Sequence, residues 1–205
     1  QNYDVDKIYL YDNNDINGEN FYDILHNLIK SEFIKVKNIR GKSEFQAFAY
    51  NDCYKRHLNE YSWFMFLDMD EFLFIKNNKT LLKFLSDERF FNCNTIFINY
   101  NEYGDSDLLK YDNRSIFKRF TQSQYGTSGK SLTRGGIKNS KIGIYKPLNI
   151  RNYCNSEGES EELYKNQSFT SKIIIDNAEL KHFITKSLEE FCQNLVKGWP
   201  AVKKF

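Results

Sequence analysis

Three carboxylates stand directly behind five apolar residues in Trp63-Phe64-Met65-Phe66-Leu67-Asp68-Met69-Asp70-Glu71. Neighbouring carboxylates disfavour one another's ionised form, so such a group calls for a positive partner, and a divalent cation would serve. In an extended segment Asp68 and Asp70 point to one side, so both reach one ion directly or through water, while Met69 points into the protein. Magnesium or manganese takes oxygen ligands in near-octahedral geometry and bridges carboxylates to substrate phosphates. A diphosphate bound in that way is a better leaving group. The plainer reading is a strand end and a turn, with Glu71 opening a short helix; an isolated D-x-D pattern does not separate the two.

Two basic residues further along extend the metal reading. His182 closes an expected strand over Ile173 to Leu180, and a neutral imidazole suits manganese-like ions, which makes it a candidate third protein ligand. A strand histidine bonded to backbone is the alternative. Lys186 stands just before Ser187-Leu188-Glu189-Glu190, a capping box, and would reach a diphosphate together with a helix N-terminus that favours anions. A solvated lysine is the rival reading there. His26 and His57 carry no assigned role.

The elements that must position these groups follow from periodicity. Val5 to Tyr11 reads as a strand ending in the turn-forming cluster Asp12-Asn13-Asn14-Asp15. Phe21, Ile24, Leu25, Leu28 and Ile29 repeat at helical spacing, so that face must pack on the sheet. A strand over Phe33 to Ile39 and a helix from near Ser43, with Phe45, Phe48, Ala49 and Cys53 on one face, lead to the run Trp63 to Leu67. Its unbroken apolarity predicts a central parallel strand covered on both sides, with Trp63 buried. The β-α-β-α-β order predicts an open, mostly parallel α/β sheet flanked by helices, which binds ligands beyond the carboxyl ends of its strands. Both acid clusters fall on that rim. The second half is less regular and β-rich, with strands expected at Thr95 to Asn99, Ser115 to Phe120, Ile142 to Tyr145 and Ile173 to Leu180. A last helix follows the capping box, with Leu188, Phe191, Cys192, Leu195 and Val196 on one face, and stops at Gly198 and Pro200.

Composition sets the outer bounds. A chain of 205 residues with 40% hydrophobic content can bury one sizeable core, so a single domain over 1–205 is expected. A net charge of +2, with acidic and basic residues interspersed, supplies no field of one sign for a polyanion, so nucleic acid is unsupported as a partner. Cys53, Cys93, Cys154 and Cys192 lie far apart without a C-x-x-C pair and read as reduced thiols of a cytosolic protein. No run approaches the roughly 18 apolar residues of a bilayer span. Gln1-Asn2-Tyr3-Asp4 opens no signal segment, and the first strand starts so early that the chain reads as cut from something longer. The expected location is cytoplasmic, with peripheral contact at the inner membrane left open.

Asp6-Lys7-Ile8-Tyr9-Leu10-Tyr11-Asp12-Asn13, then Gln46 to Cys53, then Trp63 to Leu73 resemble successive blocks of family-2-like and family-92 glycosyltransferases of the GT-A fold. The resemblance continues through Asn99 to Gly104, Phe117 to Phe120 and Lys181 to Phe191. It implies that Asp68 and Asp70 hold Mn2+ or Mg2+ and the donor diphosphate, that Asp12 lies near the donor's ribose or base, and that Gln46, Asn51 and Asp52 belong to a helix beside the nucleotide. It further implies transfer, with inversion, from a nucleoside diphosphate sugar, a UDP-sugar foremost, to a glycan or lipid-linked acceptor, as in surface glycan or lipopolysaccharide-type biosynthesis. Glu102 and Asp105, in the loop after the Thr95 strand, are the candidate general bases. Similar proteins begin earlier, with a strand and helix that help to build the base pocket. Two rival readings use the same residues: a nucleotidyl- or phosphotransferase, and a domain that binds a glycan or partner without turnover.

Overall fold

The computed structural model describes residues 4–41, 45–77, 79–161 and 169–197. Strand β1 (Ile8–Asp12) pairs parallel with β2 (Ile34–Asn38), and helix α1 (Phe21–Lys30) connects them. Asn20 caps α1 by accepting from the Tyr22 amide. The stripe on α1 behaves only partly as expected. Phe21, Leu25 and Ile29 are half-buried, but Ile24 and Leu28 face solvent and no residue of the helix is buried. Helix α2 (Phe45–His57) follows, burying Ala49, Tyr50, Cys53 and Tyr54. Its expected start near Ser43 lies outside the described residues.

Beyond α2 the sheet departs from the mostly parallel expectation. Strands β3 (Trp63–Met65), β4 (Glu71–Ile75), β5 (Thr95–Tyr103), β6 (Ser123–Arg134) and β8 (Ala178–His182) form a mixed sheet in the order β3-β6-β5-β8-β4, and β7 (Tyr153–Cys154) pairs with β5. The pairs β3–β6, β5–β6 and β4–β8 are antiparallel; β5–β8 and β5–β7 are parallel. Trp63 to Leu67 is therefore not the central strand. Only three of its residues enter the ladder, at the sheet edge, and Trp63 is half-buried beneath the Arg134 guanidinium, 4.4 Å from the ring centre. The centre belongs to β5, whose first seven residues are all buried. Around it pack Phe84 of α3 (Leu81–Leu85), Phe90, Leu132 and Leu180, and a second cluster joins α2 to Phe64.

Other expected strands also change. Ser115 to Phe120 is instead a one-turn helix, α4 (Ile116–Arg119), with Phe117 and Phe120 turned against the buried ring of Phe183. Ile142 to Tyr145 reduces to a single bridge between Ile142 and Pro147, and the last strand begins only at Ala178. Strand β6 has no counterpart among the expected strands. The final helix, α5 (Leu188–Lys197), starts as expected: Glu190 N–H donates to Ser187 Oγ at 3.4 Å, and Ser187 N–H donates to Glu190 Oε2 at 3.2 Å. Its expected stop at Gly198 and Pro200 lies outside the described residues. Among the described residues no helix is long and apolar enough to cross a membrane.

The four cysteines are not all reduced thiols. Cys93 and Cys154 form a disulfide across 61 residues, because β7 lies beside the start of β5 and sets their Cα atoms 5.8 Å apart. Cys53 is free and buried, and Cys192 is free and exposed. Closing so long a loop removes unfolded-state entropy worth about 4 kcal/mol in the chain-entropy model. Cys93→Ser, or reductant on the native chain, is expected to lower the melting temperature in calorimetry by roughly 10 °C.

Candidate active site

The acidic segment after β3 is a turn rather than an extended strand. Glu71 N–H donates to Asp68 O at 3.1 Å, and Asp68 N–H donates to the Glu71 carboxylate at 2.9 Å. The turn separates the two aspartates and leaves Met69 at 76% exposure, not pointing into the protein. Asp70 O accepts from the Phe183 amide at 3.0 Å, which ties the turn to the end of β8.

Asp68 stays partly exposed but bonds to a buried polar cluster. Its Oδ1 accepts from Gln46 Nε2 at 2.6 Å and from the Tyr50 hydroxyl at 3.1 Å, both on α2. Its Oδ2 meets Lys130 Nζ of β6 at 2.9 Å. The same ammonium lies 2.8 Å from Glu71 Oε2, and the Tyr100 hydroxyl of β5 donates to Glu71 Oε1 at 2.6 Å. Lys130 is 1% exposed. Burial alone would depress its pKa, yet Glu71, Tyr50 and Asp68 raise it above the ordinary lysine value, so the ammonium persists at neutral pH. Burial likewise pushes Tyr50 up to about 12, against the pull of Lys130, and drives Tyr100 well above the tyrosine range with help from Glu71.

Asp70 faces the other way. Its Oδ2 lies 3.4 Å from Lys186 Nζ and its Oδ1 lies 3.9 Å from His182 Nε2. Strand register sets His182 opposite Glu71 on one side and beside Glu102 on the other, and its ring packs against Tyr100 with centroids 4.7 Å apart. His182 Nδ1 is buried without a hydrogen-bond partner among the described residues. Lys186 adopts the left-handed conformation at φ 57°, which directs the chain from β8 into α5.

A cavity of about 2000 Å³ opens here, and its walls include Gln46, Asp68, Asp70, Tyr100, His182 and Lys186. Ordinary small-molecule pockets hold roughly 300–1,000 Å³, so this volume exceeds what one compact ligand requires. The remaining expected site residues do not line it. Asp12 is buried and paired with Arg40, which also bonds the carbonyls of Asp15 and Ile16 and so fixes the loop after β1. Asn51 clasps the Ile142 backbone, accepting at 2.9 Å and donating at 2.7 Å. Asp52 is held by Tyr11, Lys37 and Arg56; burial opposes its ionisation, but these three partners outweigh it and keep the carboxyl well below its usual range. Among the described residues the Glu102 side chain reaches Ser128, at 3.5 Å, and Asp105 folds a local turn by accepting from Asp107 N–H. Tyr50, Tyr100 and Lys130 escaped the sequence reading; no signal marked Lys130, because the strand that carries it was not expected.

Asp68, Asp70 and His182 are not drawn together around one point, and among the described residues no group of three or more His, Cys, Asp or Glu is arranged to hold a metal. Asp70 and His182 alone fit a narrower demand. Their separation of 3.9 Å is too long for a hydrogen bond, and adjacent ligands of an octahedral ion at roughly 2.0–2.2 Å lie about 3 Å apart, so the two side chains would close by about 1 Å to share one. Magnesium-type sites commonly take one or two protein groups and complete the shell with water and substrate phosphate.

Comparison with known proteins adds the family. A stretch of 149 residues is 26% identical to galactan β-1,4-galactosyltransferase GALS1 of Arabidopsis thaliana, covering 61% of this chain and 29% of that protein. This chain thus matches under a third of its relative's length. The description of glycosyltransferase family 92 matches residues 1–203, nearly every residue, and the chain belongs to that family.

Proposed function

We propose that the cavity beside β8 transfers a sugar from a nucleoside diphosphate donor to a hydroxyl of a glycan acceptor. The observation that carries this reading is the meeting of Asp70, His182 and Lys186 on the cavity wall, in a chain of family 92. Asp70 and His182 would hold Mn2+ or Mg2+, and Lys186 would meet the diphosphate beside it. The ion, when bound, neutralises charge that develops on the leaving diphosphate. In the step itself the bond from the anomeric carbon to the diphosphate oxygen breaks, the acceptor oxygen bonds that carbon from the opposite face, and the acceptor hydroxyl's proton passes to water in the cavity. Such a single displacement inverts the centre. Positive charge gathers on the ring in passing, as in glycoside hydrolysis.

A GT-A arrangement remains part of this proposal, supported by the β1–α1–β2 opening and the acidic turn after β3. The likeness to a galactosyltransferase makes UDP-galactose with a β-1,4-galacto-oligosaccharide the first pair to try. The Cys93–Cys154 bridge favours an oxidising compartment over the cytoplasm. With manganese, that pair is expected to give UDP and an oligosaccharide one hexose longer, and chelation with EDTA to stop both. Release of pyrophosphate instead would mark a nucleotidyltransferase. A melting temperature unmoved by manganese with any nucleotide sugar would favour a binding domain, because a ligand selective for the folded state must stabilise it.

A further inference from the structure

Lys130 is the least expected charge in the molecule. Burying an ammonium is costly unless it is paired, and a buried ion pair is often no more stable than apolar residues of the same volume, so stability does not account for it. Its position is nonetheless closely defined. Lys130 stands opposite Ile98 on β5, and neighbouring Gly129 lies so near the Ile98 carbonyl that a Cβ there would fall 1.9 Å from the oxygen. The two strands are pressed together at this point, which aims the lysine at the acidic turn.

What the ammonium does follows from its partners. Asp68 Oδ1 already accepts two hydrogen bonds, its full lone-pair capacity, and Oδ2 shares its space with a fixed positive charge. A divalent ion on that carboxylate would have to displace Lys130, 2.9 Å away and buried with no room to withdraw, whereas Lys186 meets Asp70 at the longer distance of 3.4 Å and is partly exposed, free to swing toward a phosphate. Glu71, joined to the same ammonium, accepts from the Asp68 amide and so closes the turn. The turn in turn presents Asp70, whose carbonyl is bonded to the residue after His182.

We propose that Lys130 is a positioning residue for transfer: its buried ammonium joins Glu71 to Asp68, withholds Asp68 from the ion, and leaves Asp70 to face His182 and Lys186. This inference rests on the transferase reading above. Two measurements test it. In the first, free Mn2+ is followed by electron paramagnetic resonance as the chain is titrated in the presence of UDP. Asp68→Asn is expected to hold Mn2+ within about threefold of the native affinity, and Asp70→Asn to lose at least about thirtyfold. Equal losses in the two variants would overturn the inference while leaving the transferase reading intact; absence of Mn2+ binding by the native chain would overturn both. In the second, Lys130→Met/Glu71→Leu/Tyr100→Phe replaces the buried polar set with apolar side chains. This variant is expected to melt near the native temperature yet bind UDP with Mn2+ at least about tenfold more weakly, with acceptor KM unmoved. A folded triple variant with native UDP affinity would count against any positioning role.

Discussion

Asp70→Asn is expected to lower kcat/KM for the nucleotide sugar by roughly 10²–10³ while the protein melts within a few degrees of the native temperature. The first half follows from chemistry. Asp70 is the carboxylate that faces both His182 and Lys186, and a cation on a departing oxygen contributes several kcal/mol, each 1.36 kcal/mol being tenfold in rate. The second half follows from exposure. The Asp70 side chain is 26% exposed and its contact with Lys186 is long, at 3.4 Å, so the pair contributes no more than about 1 kcal/mol to folding. Thermal melts and steady-state kinetics on one preparation separate the two. Retained turnover would remove Asp70 from the mechanism, and a collapse in melting temperature would make its role structural.

Lys130→Met reverses that pattern. Removing one member of a buried charge cluster leaves the others without compensation, at a cost of about 3–5 kcal/mol, which for a chain of this size lowers the melting temperature by roughly 6–20 °C. Glu71 bears most of this, since its side chain is 1% exposed, whereas that of Asp68 is 40% exposed and keeps Gln46 and Tyr50. The sign of the pH dependence follows from the raised lysine pKa. A cation stabilised by folding contributes fully below its unfolded pKa, here about 10.5, and the contribution fades only as pH climbs beyond that value. The gap between native and Lys130→Met melting temperatures should therefore stay wide near neutral pH and close in strongly alkaline buffer. A variant that melts with the native protein at pH 7 would show the cluster to be energetically idle.

What could be read before the fold was known was local. The opening β-α-β-α order was legible because periodicity and turn chemistry act over a few residues, and the box at Ser187 and Glu190 because a helix start needs only its own side chains. What failed depended on partners distant in sequence. Trp63 to Leu67 has the apolarity of a central strand, but β6 and β5 decide that it lies at the edge. Strand β6, rich in Ser, Thr, Gln and Gly, hid because its burial comes from its neighbours rather than from its composition. Ser115 to Phe120 was expected as a strand, but Phe183 supplies the surface that Phe117 and Phe120 cover from a helical turn.

The site divides along the same line. Asp68, Asp70, His182 and Lys186 stood out by type and spacing, and all four reach the cavity. Their division of labour was not legible, because an extended D-x-D sends both acids one way and a hydrogen-bonded turn parts them. Nor was Lys130, since Ser128-Gly129-Lys130-Ser131 fell between the expected strands and its burial comes from β5 and the acidic turn. The disulfide was out of reach for a similar reason, its halves lying 61 residues apart.

The most direct test is a crystal structure of the native chain grown with UDP and Mn2+, with anomalous scattering used to place the ion. A manganese peak is expected between the Asp70 carboxylate and His182, with diphosphate oxygens beside Lys186 and Asp68 still bonded to Lys130. A nucleotide bound away from this cavity, or an ion held by neither Asp70 nor His182, would contradict that arrangement.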